Sequence, residues 1–330
     1  MSRRRINHSV SANGSGESTN ANNAVIDALS PLFGQIEDKT SGRPRSESAN
    51  GWGIIRVSVA NLRLEPSHRA EMGTQALLGT VIRILRKNSH WYYAQTPDGY
   101  RSWIEAGHFV LCDRAAANAW EASNLVFVTT WTDRIREKPN AQALPISDVV
   151  AGSLLKKIGR SGSFFKVEFP DQRVGFLPKQ SGMDYSEWRK KTSPSAAKIE
   201  QTARHLVGVP YMWGGTSPKA LDCSGFTKTV FLLNGLQLNR DARHQAHQGA
   251  ELDPGTDFAN LRRGDLLFFG RKGTAHAPEQ ITHVAIYLND RKYIHAASMV
   301  KFNSLDPTSS LFDEKRLKTF VRARRILVKL

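Results

Sequence analysis

The stretch "VGVPYMWGGTSPKALDCSGFTKTVF", residues 207–231, changes character at its middle. Its first half is turn-forming: Gly208 and Pro210 end whatever helix precedes them. Its second half, continued to "LDCSGFTKTVFLLNGL", reads as a helix, with Phe226, Val230 and Leu233 on one face and Gly235 as the stop. Cys223 opens that helix. A helix N-terminus carries partial positive charge and free N–H groups, and both favour a thiolate. Gly225 keeps the first turn uncrowded for a substrate carbonyl. The position suits a buried structural cysteine as well, because free cysteines are often buried.

Working outward, the segment before this stretch is a second helix. Ser193 or Ser195 caps it, and Ala197, Ile199, Ala203, Leu206 and Val207 follow at helical spacing. The segments after it are strand-like: "GDLLFFG", "THVAIYL", "KYIHAAS" and "FVRARRIL". Helices followed by an antiparallel sheet predict an α+β domain over 195–330. His283 and His295 fall in successive strands across the turn "NDRK", so a hairpin would bring one imidazole to the other. That gives a nucleophile, a base and a residue that orients the base. His244, His247 and His276 read as surface or loop residues. The His/Cys set lacks zinc-ligand spacing apart from His244 and His247, and no metal site is assigned.

The first half of the chain is different. Short alternating strands punctuated by turns fill 51–113 and recur over 122–181. A shift of 73 positions superposes Leu62-Arg63 on Ile135-Arg136, Gly79 on Gly152, Trp91-Tyr92 on Phe164-Phe165 and Trp103-Ile104 on Phe176-Leu177. Two tandem copies of one β-module are expected, then a polar linker over 182–194.

The 330 residues carry a net charge of +16, and such a surface favours polyanions. Zinc-finger spacing and an RNA-binding aromatic signature are missing, so no nucleic-acid partner is expected. No apolar run is long enough to span a membrane. Cys112 and Cys223 cannot form a disulfide framework. Residues 1–50 read as a low-complexity leader without the apolar segment of a secretion signal. The expected location is the cytoplasm, or the cell envelope if an export signal is missing from this numbering.

Both β-modules resemble the bacterial SH3-like domain, through "NLRLEP" and "RIREKP", the later glycine and the central aromatic pair. Such domains bind cell-wall peptides or dock on a neighbour. The motif "YMWGG…DCSGF", with "RRGDLLFF", "ITHVAIYL" and "YIHAAS", resembles the NlpC family of papain-like cysteine peptidases. The expected architecture is therefore two small SH3-like β-barrels followed by an α+β, papain-like catalytic domain. The resemblance implies Cys223 as nucleophile, His283 as base, His295 as orienting residue and Tyr211 as a group polarising the substrate carbonyl. It implies Asp222 and Ser224 as cleft residues, whereas Trp213 reads as core packing.

Tandem SH3-like modules before such a domain are similar to one subset, the γ-D-glutamyl-L-diamino-acid endopeptidases. These act on peptidoglycan stem peptides, or a murein tripeptide, with a free N-terminal L-Ala. By that likeness Asp241 in "NRDARHQ" would bind the amine, with Ala242 where the subset has serine. Tyr100 and Glu71 of the first module would line the cleft. No cofactor is implied, and a monomer is expected. The other readings are a cell-wall-binding protein and another thiol-dependent amidase or acyltransferase.

Overall fold

The computed structural model describes residues 47–327. The proposed leader lies outside the described residues, except that the first strand begins at Glu47. The first module contains β1 (Glu47–Ile55), β2 (Val59–Arg63), β3 (Met72–Leu77), β4 (Val81–Asn88), β5 (Trp91–Gln95), β6 (Arg101–Glu105) and β7 (Phe109–Cys112). Helix α1 (Arg114–Glu121) leads to the second: β8 (Leu125–Val128), β9 (Thr132–Arg136), β10 (Pro145–Val150), β11 (Leu154–Ser161), β12 (Phe164–Glu168), β13 (Val174–Pro178) and β14 (Gly182–Asp184). The strand order is β3-β2-β6-β5-β4-β1-β7 in one and β10-β9-β13-β12-β11-β8-β14 in the other. The 73-residue offset carries β2 onto β9, β3 onto β10, β4 onto β11, β5 onto β12 and β6 onto β13 without a gap.

Residues 182–194 are not a plain linker. Gly182–Asp184 pairs with β8 and closes the second barrel. Helix α2 (Tyr185–Lys191) then stacks on it, with Trp188 4.0 Å from the ring of Phe127. Phe127, Tyr185 and Trp188 form one aromatic stack, which a purely polar reading of the segment overlooks.

The third domain places helices α3 (Ala196–His205) and α4 (Cys223–Leu232) on a six-stranded sheet. A short ribbon of β15 (Thr216–Ser217) and β16 (Ala220–Leu221) precedes that sheet, which comprises β17 (Ala250–Leu252), β18 (Leu266–Arg271), β19 (Gln280–Tyr287), β20 (Lys292–Ala297), β21 (Met299–Ser304) and β22 (Phe320–Arg325), in the order β17-β22-β18-β19-β20-β21. Every pairing is antiparallel. Alternation along the strands splits the core in two. Leu266, Phe268, Val284 and Ile286 meet Ile199, Phe226 and Val230 of the helices, while Leu267, Phe269, Ala285 and Tyr287 pack on the other face. Ser195 caps α3, and of its expected apolar face Ile199, Ala203 and Leu206 are buried, whereas Ala197 and Val207 are exposed. Cys112 and Cys223 are both free thiols. Among the described residues no helix is long and apolar enough to cross a membrane.

The domains are bolted together by polar contacts. Lys228 on α4 pairs with Asp98 of the first module, and Lys219 with Asp148 of the second. Asp148 also accepts from Ser58 Oγ, so both modules and the third domain meet at one carboxylate.

Candidate active site

Asp222 determines how α4 begins. It is extended in backbone, and Oδ1 accepts from Gly225 N at 2.7 Å, which caps the helix. Oδ2 accepts from Gly214 N at 2.9 Å and so ties the "MWGG" turn to the same point. Gly225 is required there, because a Cβ would lie 1.9 Å from the carbonyl oxygen of Gly215.

Cys223 follows, 7% exposed, with the backbone N–H groups of Ser224 and Val284 beside its sulfur. Burial, helped by the Asp222 charge, pushes the thiol up to about 11. The helix N-terminus favours a thiolate, but burial acts in the opposite direction and is the larger influence. Val284 directly follows His283, so thiol and imidazole share one corner of the domain.

His283 and His295 meet edge to face, with His283 Nε2 2.7 Å from His295 Nδ1. His295 Nε2 lies 3.0 Å from Asn303 Oδ1, and Asn303 Nδ2 donates to the Leu311 carbonyl at 3.1 Å. The chain of bonds fixes the tautomers. Asn303 turns its oxygen to His295, so His295 carries its proton on Nε2 and accepts on Nδ1. His283 then donates from Nε2 and keeps Nδ1 as a lone pair. Burial, His295 and the cations Arg316 and Lys315 hold His283 well below the ordinary histidine value. Burial likewise lowers His295 to about 4. Burial therefore works against charge on the thiol and on both imidazoles.

Tyr211 pairs with Leu221, just before the cap, and its N–H donates to Ser298 O at 2.8 Å. Its phenol is held protonated by burial and by the nearby Cys223 and Asp222. It can therefore donate a hydrogen bond at any ordinary pH.

The remaining predicted residues divide. Asp222 and Ser224 are 6% and 5% exposed and face Arg240 rather than open solvent. Arg240 Nη1 donates to Asp222 Oδ1 at 3.1 Å and to Ser224 Oγ at 2.9 Å, and Nη2 donates to Asp222 Oδ2. With two backbone amides also bound, the Asp222 carboxylate has no capacity left for a ligand. Asp241, partly exposed, pairs with Arg243 at 3.2 Å. Burial opposes the charge of Arg240, but Asp222, Tyr100 and Asp241 lie close enough to hold it. Tyr100 and Asp241 thus both lie near Arg240. Glu71 is exposed one residue before β3. Trp213 is not in a core: it is 62% exposed, because Met212 and Gly214 on either side are tied to Leu221 and Asp222 and turn the indole outward.

Three contributors escaped sequence reading. Arg240 also donates from Nε to Thr74 Oγ1 of the first module at 3.1 Å, and so joins that module to the cap of the nucleophile's helix. Asn303 completes the histidine relay. Arg316 acts electrostatically on Tyr211, His283 and His295 together. A signal existed for Arg240, since it adjoins Asp241 in "NRDARHQ", but none showed that its partners are so distant.

The sequence pattern of the NlpC/P60 family matches residues 208–324, and that of a bacterial dipeptidyl-peptidase SH3 domain matches 62–109. The chain is 30% identical over 269 residues to a protein named dipeptidyl-peptidase 6 from Lysinibacillus sphaericus, covering 78% of this chain and 93% of that one. The chain belongs to the NlpC/P60 family. A gamma-D-glutamyl-L-lysine dipeptidyl-peptidase from Bacillus subtilis is 31% identical over 268 residues, 74% of this chain and 78% of the relative. The crystal structure of an NlpC/P60 family protein from Bacillus cereus superposes with a TM-score of 0.71, at 23% identity, over 84% of this chain and 100% of the other. That likeness confirms the fold: SH3-like β-modules followed by an NlpC/P60 domain. The protein is a hydrolase of the peptidase class.

Proposed function

We propose that the chain hydrolyses the γ-D-glutamyl–L-diamino acid bond of peptidoglycan stem peptides with a free N-terminal L-Ala, releasing L-Ala-D-Glu. The reading rests on the His283–His295–Asn303 chain of bonds in the same domain as Cys223, whose helix cap Arg240 ties to the first module. The name of the Bacillus subtilis relative, a gamma-D-glutamyl-L-lysine dipeptidyl-peptidase, supports the choice of bond.

In this mechanism His283 Nδ1 takes the thiol proton as Sγ attacks the γ-carbonyl. The oxyanion is met by the Tyr211 hydroxyl and the Cys223 N–H. His283 gives its proton to the leaving amine, forming an acyl-enzyme. A water deprotonated by His283 then releases the dipeptide and restores the thiol. Asp241 and Tyr100, beside Arg240, read the free amine, and Glu71 is a further carboxylate at that end. Ser224 and Asp222 act by holding Arg240 and the helix cap. All these groups lie in one chain, consistent with a working monomer.

The test uses L-Ala-γ-D-Glu-diamino acid tripeptides with free and acetylated amines. Release of L-Ala-D-Glu from the free-amine peptide, at least about a thousand-fold slower in Cys223→Ala, is expected. Equal rates for wild type and variant would sink the proposal. Equal cleavage of both peptides would remove the amine-reading role of Asp241.

A further inference from the structure

We propose that the first β-module carries a binding site for a divalent transition-metal ion of the zinc class, formed by His68, His90 and Glu105. One ring nitrogen of each histidine and a Glu105 oxygen all lie within 4.8 Å of one another. His68 Nε2 is 3.8 Å from Glu105 Oε1. A tetrahedral zinc with bonds of roughly 2.0–2.2 Å spaces its ligand atoms roughly 3.4 Å apart. Small rotations of these solvent-facing side chains close that gap. Two imidazoles and one carboxylate select a borderline ion over Mg2+ or Ca2+, which prefer all-oxygen shells. Three protein ligands leave the fourth position to water.

The local structure is already arranged for this. Glu105 ends β6, and Trp91, its cross-strand partner, opens β5 immediately after His90. Ala106 N donates to the His90 carbonyl at 2.9 Å, which fixes the two segments together. The indole of Trp91 is 5% exposed and lies beside both imidazoles, 5.0 Å from His68 and 6.2 Å from His90 between ring centroids. Ser89 Oγ is 3.2 Å from His90 Nδ1, which orients that ring and leaves Nε2 for an ion. The loop bearing His68 is closed by Arg63 Nη1 donating to Ala70 O at 2.6 Å.

An ion at this point staples the β2–β3 loop to the end of β6. The loop runs directly into Met72, and a Cβ on Gly214, in the turn before Cys223, would lie 2.4 Å from the Met72 carbonyl oxygen. The site is separate from the thiol centre, but it holds the strand on which that turn rests.

The test titrates Zn2+ and Co2+ into the chelator-treated full chain by calorimetry, with Co2+ also followed by visible absorption. One equivalent is expected, without a thiolate-to-cobalt charge-transfer band, and with unchanged affinity in Cys223→Ala. His68→Ala and His90→Ala each weaken binding by at least about ten-fold. Zn2+ raises the melting temperature of wild type but not of His68→Ala, whose unliganded melting temperature confirms that it folds. No binding, a thiolate band, loss of binding in Cys223→Ala, or affinity untouched by both histidine substitutions overturns the proposal.

Discussion

At the scale of single residues, the amide of Asn303 governs the protons of the site without touching the thiol. Its oxygen holds His295 in one tautomer, and through it His283. Asn303→Ala removes the acceptor, so the imidazole pair can turn over. The expected result is a kcat at least about ten-fold lower, about 1.4 kcal/mol in the barrier, with KM little changed, while Asn303→Asp retains most activity. The pH profile follows from the lowered histidines. His283 remains an unprotonated base below the ordinary value of 6.5, so the acid limb of kcat/KM falls below that pH. Stability moves with it. The unfolded histidines bind protons below about 6.5, but buried His295 resists until about 4, so stability present above 6.5 is lost as pH falls through that window. His295 accounts for about 3 kcal/mol of the loss, and thermal melts of His295→Gln show a flatter decline over the same range.

At the scale of elements, turns and caps decide more than strands. Gly79 and Gly162 both have positive φ, yet a Cβ at Gly79 would meet the Leu154 carbonyl oxygen at 2.1 Å, whereas Gly162 faces open space. Gly162→Ala is expected to cost about 1 kcal/mol and Gly79→Ala several times more, read from denaturant midpoints. Arg240→Ala leaves the carboxylate of Asp222 buried without its ion partner, with an expected loss of about 3–5 kcal/mol. Arg240→Lys does not rescue it, since one ammonium cannot span both oxygens, Ser224 and Thr74. These elements also show where sequence reading succeeds. Motif and repeat register made both barrels and the "YMWGG…DCSGF" segment legible, because their apolar alternation and glycines are local signals. Strand β21 is not legible, because "MVKFNS" lacks clean alternation, and Asn303 is hidden with it. Arg240 was unreadable because Thr74 lies 166 residues away in sequence. Trp213 reads as core because an indole in a glycine turn carries no local sign that the amides beside it are pinned.

At the scale of the whole molecule, the two barrels are not equivalent partners. Leu78, in the turn after β3, is fully buried in the core of the second module with Val126, Val128, Leu155 and Leu177. Its counterpart 73 positions on is Ala151, which has only a methyl group and is not part of the first module's core. Leu154 N donates to Leu78 O at 2.9 Å, and Trp120 Nε1 to Gly79 O at 3.0 Å, closing the same seam. Leu78→Ala is therefore expected to cost about 2–5 kcal/mol. The loss should appear as faster hydrogen exchange in the second module as well as the first, and exchange confined to the first would contradict the seam.

The one-way insertion of Leu78 also bears on how such a chain can change over generations. A duplicated module ordinarily remains exchangeable, to be lost, copied again or traded. Here the second module holds a core side chain of the first, and the first emerges from the ribosome earlier, with the inserted group in place before its recipient exists. Gene rearrangements that separate the pair would strand a barrel with a hole in it, so the two copies are bound to be inherited together.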